Sequence, residues 1–257
     1  MTPILRWHSL KEVHGVITGC DDHQEWLLKW WWSHYRKCNT FPVTFLDFGM
    51  STSARKWCQK KGTVISIELP LSIIGTKKSF SKEVQQNWET LYASTVWKAR
   101  KGWLSKPIGL MHTPYQRTVW TDLDCQILQP LDPLFDASLS ASGVAAVPEV
   151  KRAVAHAKRC GILLPGEKAY NTGVLAYCHQ STLITKWAKN TYTRSYEFMG
   201  DGEVFGRTIF EEKFQPTELT RKFNRYFRDG VTPETVIVHF VCSGGKHVIL
   251  KTMQLEK

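Results

Sequence analysis

Two aspartates one residue apart, Asp122 and Asp124, follow the apolar run Thr118-Val119-Trp120-Thr121. On an extended segment, side chains two apart share a face, so both carboxylates can reach one ligand. Two hard oxygen donors that leave coordination positions open suit Mg²⁺ or Mn²⁺ bridged to a diphosphate. Far along the chain, Val236-Ile237-Val238-His239-Phe240 reads as a strand delivering an imidazole, and Ser243-Gly244-Gly245-Lys246 follows it. His239 is a candidate third ligand. Gly244 and Gly245 would let the backbone approach phosphate oxygens, and Lys246 would balance their charge. Taken singly, each piece has an ordinary explanation: an acidic pair in a solvated turn, a core histidine, a glycine turn. Together they describe one diphosphate–metal site.

Such a site needs elements to hold it, and the hydrophobic pattern supplies them. Short apolar or β-branched runs predict strands at 14–18, 43–48, 63–67, 118–123, 143–147, 173–177 and 236–240. Between them, residues 25–35 place Trp26, Leu27, Trp30, Trp31 and His34 on one helical face. A long amphipathic helix capped by Ser81 carries Trp88, Leu91, Tyr92, Thr95 and Val96, and residues 182–189 form another. Strand and helix in alternation predict an α/β layer fold with a mainly parallel sheet flanked by helices. In such sheets ligands bind beyond the carboxyl ends of the strands, where the strand order reverses. No repeat, low-complexity stretch or linker interrupts the chain, so residues 1–257 read as one domain.

Composition sets the limits. The chain has 257 residues, 42% of them apolar and 12% aromatic, which excludes a disordered protein. No run approaches a membrane span. Arg6, Lys11, Glu12, Asp21, Asp22 and Glu25 leave no room for a secretory apolar stretch, so a cytoplasmic protein is expected. The seven cysteines, at 20, 38, 58, 125, 160, 178 and 242, contain no Cys-x-x-Cys and fit reduced thiols. Cys20 and Cys125 flank the acidic site without a base beside them, which argues against a nucleophile. Thirty-four Lys and Arg against 23 Asp and Glu give a net charge of +11. That excess suits nucleic acid, an anionic membrane or a phosphorylated ligand, but no zinc-finger or RNA-recognition signature accompanies it.

The order of these motifs carries a resemblance. The strand with Asp122 and Asp124, then Tyr170-Asn171-Thr172-Gly173-Val174, then His239 with glycine and lysine behind it, resembles glycosyltransferase family 8. That is the glycogenin and lipopolysaccharide galactosyltransferase group, with one nucleotide-sugar-binding domain of the GT-A type. Pro130-Leu131-Asp132-Pro133-Leu134-Phe135 resembles the family's stretch after its metal motif, and Val16-Ile17-Thr18-Gly19-Cys20-Asp21 its first strand and loop. The similarity in order spans residues 13–247, although only three short blocks are specific.

The resemblance implies a metal-dependent transferase that moves a sugar from a nucleotide-diphosphate sugar, UDP-linked, to an acceptor with retention of configuration. Asp122, Asp124 and His239 would bind Mn²⁺ or Mg²⁺, with Asp122 also touching the ribose. Thr18, Gly19 and Asp21 would hold the nucleoside, Asn171 the donor sugar, and Gly244, Gly245 and Lys246 the diphosphate. Gly200-Asp201-Gly202-Glu203 falls where the family carries Asp-Gln near the reacting carbon. The glutamine is missing, so either Asp201 or Glu203 is the closer acid, and a surface turn also explains the pair. His239 and Lys246 stand one residue further apart than the family spacing, and His247-Val248 replaces its Pro-Trp. Either the loop bulges or the lysine's role has passed to Arg221, Lys222 or Lys77.

Trp26, Trp30 and Trp88 sit at core spacing, whereas Trp31, Trp32, Trp103 and Trp120 are candidates to stack on an acceptor sugar. The indoles of 25–35 and the basic charge suggest peripheral contact with the inner face of a membrane and an anionic glycan or lipid acceptor. Three alternatives remain open. A pyrophosphorylase would need a Gly-x-Gly-Thr-Arg-like loop that Gly19-Cys20-Asp21-Asp22 does not provide. A basic protein binding nucleic acid or membrane would leave the motif order unexplained. An inactive member of the fold is the third.

Overall fold

The central strands are short runs of Val, Ile, Leu and Ala buried on both faces, the pattern of parallel strands covered by helices on each side. In the computed structural model, which describes residue 10, residues 12–139 and residues 141–255, these runs form a seven-stranded sheet. Arg6 and Lys11, counted above against a leader, lie outside the described residues. In chain order the elements are β1 (Glu12–Cys20), α1 (Leu28–Cys38), β2 (Val43–Asp47), α2 (Thr52–Gln59), β3 (Thr63–Ser66), α3 (Leu71–Ile74), α4 (Lys82–Tyr92) and α5 (Val96–Leu110). Then come β4 (Tyr115–Thr121), β5 (Cys125–Ile127), α6 (Asp132–Ala137), β6 (Val144–Pro148), α7 (Lys151–Arg159), β7 (Tyr170–Cys178) and α8 (Thr182–Arg194). The remainder is α9 (Asp201–Glu212), β8 (Thr217–Glu218), β9 (Arg225–Tyr226), β10 (Ile237–His239) and α10 (Cys242–Leu255).

The strand order is β3-β2-β1-β4-β7-β6-β8, and within it only β7 runs against its neighbours. That reversal sets the amino end of β7 beside the carboxyl end of β4. A three-stranded sheet, β5-β10-β9, stands next to the main one. It pairs His239 with Cys125 on one side and Tyr226 on the other.

Several expectations change in detail. The strand expected at 14–18 extends to nine residues because β2 and β4 pair along it. The single long helix is two: Ser81 Oγ caps α4 by accepting from Val84 N–H, but Ala93 turns to φ 52° and a 3₁₀ turn intervenes before α5. The break folds Trp97 back onto Trp88 at 5.6 Å, with Phe80 against both. Trp31 and Trp120 are fully buried and unavailable to an acceptor. Their indole N–H groups donate to Thr121 Oγ1 and Asp122 Oδ1.

One buried cation organises this face of the molecule. Arg100 on α5 is completely enclosed and stacks on Phe80 and Trp88. Its guanidinium donates to the carbonyls of Ile74 (3.0 and 2.8 Å), Ser195 (3.2 Å), Phe198 (2.6 Å) and Met199 (2.6 Å). Burial lowers its pKa to about 10, still far above neutrality. Four carbonyls from two distant segments therefore depend on one side chain. Arg100→Met should leave them without a donor and cost at least about 3 kcal/mol in urea unfolding. A loss below about 1 kcal/mol would show that water or relaxation replaces the clamp.

Candidate active site at the carboxyl ends of the strands

The two aspartates do not extend β4; the strand stops at Thr121. Asp122 N–H donates to Gly173 O at 2.7 Å, and a turn closed by Cys125 N–H to Asp122 O follows. The turn keeps both carboxylates on one side, as expected from their spacing, but through turn geometry and not strand alternation. His239 Nε2 lies 3.2 Å from Asp124 Oδ1 and 4.0 Å from Asp122 Oδ2.

The imidazole is held from behind. His239 Nδ1 meets Asn224 Oδ1 at 2.9 Å, and Asn224 Nδ2 donates to Asn171 Oδ1 at 2.8 Å. The partner assigns the proton to Nδ1, so Nε2 turns its lone pair toward the aspartates. Asn171 uses all its capacity on protein: its Nδ2 donates to Glu149 Oε1 and Tyr226 Oη, while its Oδ1 also accepts from Gly173 N–H. Gly173 is required here, because a Cβ at that position would lie 2.2 Å from His239 Cε1.

Lys246 arrives by a different route from the expected glycine loop. Residues 242–245 are the first turn of α10, which opens on Cys242 at φ 63°, and Lys246 follows directly. Glycine costs little in a first turn, whose N–H groups have no helical partner in any case. Gly245 also permits the helix to start against Phe240, where a Cβ would stand 2.2 Å from its carbonyl carbon. Lys246 Nζ then meets Asp124 Oδ2 at 2.6 Å. Burial alone would raise the Asp124 pKa, but the Lys246 ammonium outweighs it and holds the carboxyl well below the ordinary range. Of the alternative cations, Lys77 is paired with Glu89 on the surface at 2.6 Å.

A residue that pattern reading passes over sits at the centre. Lys106, buried on α5, reaches Asp122 Oδ1 at 3.0 Å and Asp201 Oδ2 at 2.8 Å. Burial disfavours its charge, but the two carboxylates more than offset that and raise its pKa. Asp201 is buried as well and accepts from Thr172 Oγ1 at 2.7 Å. Residues 200–203 are therefore no surface turn but the buried start of α9, with Glu203 accepting from Gly200 N–H at 2.9 Å. The pre-proline position of Lys106 in Trp103-Leu104-Ser105-Lys106-Pro107 looks like an ordinary basic site. Its signal is that an apolar helix face has a lysine where burial demands a counter-charge.

The remaining expected residues stand on β1 and the loop that follows it. Thr18 and Gly19 end β1, next to β4 in the sheet, and Thr18 Oγ1 is buried without a hydrogen-bond partner among the described residues. Asp21 is buried, and its carboxylate accepts from the N–H groups of His23 and Gln24. Among the described residues no hydrogen bond or ion pair links Asp21 to Asp122 or Asp124.

Two carboxylates and a tautomer-fixed imidazole facing one another fit a divalent cation of the Mg²⁺ or Mn²⁺ kind. The ligand atoms of Asp124, Cys125 and His239 lie within 4.8 Å of one another, with Asp122 beside that group at 4.0 Å from His239, and the soft sulfur of Cys125 is the donor least suited to such a cation.

No protein-family model matches the chain, and no curated protein matches it in sequence. Solved structures do. The galactosyltransferase LgtC, in complex with donor and acceptor sugar analogues, is 14% identical over 89% of this chain and 86% of its own, with a TM-score of 0.57. An active-site mutant of LgtC, in which a glutamine is replaced by glutamate, gives a TM-score of 0.60 at 13% identity, covering 95% and 96% of the two chains. Mouse xyloside xylosyltransferase 1 is 15% identical over 89% of this chain and 97% of its own, with a TM-score of 0.51. The chain thus has the GT-A glycosyltransferase fold, and the acidic pair stands at the carboxyl end of β4 within it.

Glu203 offers a test of the site's electrostatics. Burial pushes its carboxyl up to about 7, with Asp201 adding to the rise. A carboxyl raised in the fold stabilises the native state fully below its unfolded value of about 4.5 and loses that contribution as pH rises toward 7. Glu203→Gln keeps an oxygen for Gly200 N–H and has no proton to lose. Its Tm should fall less than the wild type's between about pH 5 and about pH 7.5, and equal falls would place the titration elsewhere.

Proposed function

We propose that the chain is a metal-dependent glycosyltransferase that moves a sugar from a UDP-linked donor to an acceptor with retention of configuration. The observation that carries this reading is the Asp122, Asp124 and His239 donor set at the carboxyl end of β4 in a GT-A fold. The cation, Mn²⁺ or Mg²⁺, would supply Lewis-acid stabilisation of the departing diphosphate.

The chain's own residues do the rest. Lys246 is the cation beside the metal ligands, and Gly244 offers its N–H in the first turn of α10, a favourable place for phosphate oxygens, while the Gly245 N–H donates to Val241 O at 3.3 Å and Gly245 serves the close approach of the backbone. Lys106 fixes the separation and charge of Asp122 and Asp201. Asp201, held on that ammonium and Thr172, is the acid assigned to the reacting face of the sugar, while Glu203 caps the same helix start. Asn171 acts through Asn224 to orient His239 and is a positioning residue. Thr18, Gly19 and Asp21 close the nucleoside end. Half-buried Trp103, packed on Gly200 and edge-on to Tyr92, is the indole best placed to meet an acceptor. The basic excess suits an anionic glycan or lipid acceptor met by a cytoplasmic enzyme at the inner face of a membrane, and the order of the site motifs disfavours nucleic acid as partner.

Ligand binding to the native state raises its apparent stability. Wild-type protein should therefore melt higher with UDP and Mn²⁺ together than with either alone. Asp124→Ala should lose that joint shift, and His239→Asn should weaken it. An undiminished shift in Asp124→Ala would sink the site assignment.

A further inference from the structure

More than half of the net charge of +11 comes from one stretch. Residues 28–61 contain seven Lys and Arg against Asp47 alone, a net of +6. The remaining residues carry 27 against 22, a net of +5 spread over the rest of the chain. Folding concentrates the stretch further. Trp32 on α1 meets Trp57 on α2 edge-on at 6.2 Å, and Lys61 reaches back to within 5.7 Å of the Trp32 ring. The outer faces of the two helices are therefore one surface. Lys29, Arg36 and Lys37 stand on α1, with Lys56, Lys60 and Lys61 on and just beyond α2, and all six are exposed. Arg55 is the one basic residue of the stretch with an ion-pair partner among the described residues, on Asp47 at 3.2 Å.

We propose that the α1–α2 face is the surface by which the protein docks on an anionic lipid membrane. This deepens the membrane location given above and rests on it, but not on the transferase reading, since docking needs no nucleotide. Charge complementarity carries the choice of partner. Five of the six exposed cations are lysines, point charges on flexible stems that match a diffuse anionic surface. The one arginine among the six lies over the Trp32 ring at 5.7 Å, so a single guanidinium fork stands among five point charges. Trp32 and Trp57 are half-buried between the helices, amphipathic rings at the height a lipid headgroup layer would meet. The same face presents two parallel helix ridges, because α1 and α2 follow parallel strands β1 and β2.

The test uses sedimentation with phosphatidylcholine vesicles, with and without phosphatidylserine, at low and raised salt. Each surface lysine contributes about a fivefold change in partition near an anionic bilayer. Wild-type protein should sediment only with the anionic vesicles and be released by salt. Replacing Lys37, Lys56, Lys60 and Lys61 together by Gln should lower that partition by more than about tenfold. The same change at Lys82, Lys158, Lys189 and Lys251, exposed elsewhere, should lower it far less. Melting temperatures and far-ultraviolet circular dichroism unchanged from wild type in both variants show that the fold is intact. Equal losses in the two variants overturn the face while leaving the membrane location standing. Absence of vesicle binding by wild-type protein overturns both, and tighter retention on a DNA oligonucleotide than on anionic vesicles overturns the choice of partner.

Discussion

A buried ammonium between two carboxylates is the constraint around which this molecule is built. Lys106 joins Asp122, which follows β4, to Asp201, which begins α9, at 3.0 and 2.8 Å. Removing three charges from water is costly, and the arrangement is tolerable only when every partner is in place. Its presence therefore requires that α5, the end of β4 and the start of α9 reach their positions together. Trp120 and Thr172 complete the shell, one donating to Asp122 and the other to Asp201. A second triad, Lys246, Asp124 and His239, shares a wall with the first through the turn between the two aspartates.

These two triads explain why some of the site is readable in the sequence and some is not. Asp122 and Asp124 are visible as a pair that can share one ligand, and they outweigh an ordinary solvated turn only in company with His239 and Lys246. His239 becomes visible by its place in a β-branched run, and Lys246 by the glycines before it. Lys106 has no such frame. It lies on a helix whose apolar positions run nearly all the way round, with Leu104, Ile108 and Leu110 all buried, so no periodicity marks a functional face. Only the tertiary pairing gives it meaning. Asn224 is invisible for the same reason: its partners lie at 171 and 239.

The fold follows the same logic. The core strands are legible because burial on both faces leaves an unbroken apolar signature. The helix starts that carry glycine, those of α9 and α10, are not, because Gly200, Gly202, Gly244 and Gly245 read as turns until the packing that requires them is known. The break between α4 and α5 is hidden for the opposite reason. Apolar spacing continues across Ala93, and only the stacking of Phe80, Trp88 and Trp97 over Arg100 makes a bend preferable to a straight helix.

The ion pair between Lys246 and Asp124 spans 122 residues of chain. Lys106 and Asp201 are likewise far apart in sequence, and loop-closure entropy must be overcome before either contact forms. During synthesis the sheet from β1 to β4 can assemble while its acidic rim still lacks both the α10 lysine and the β10 histidine. Until then Asp122 can already meet Lys106 of α5, whereas Asp124 has neither of its partners. Completion of the rim therefore waits on the end of the chain, and a nascent chain cut short before α10 would carry most of the sheet without the Lys246 partner of Asp124.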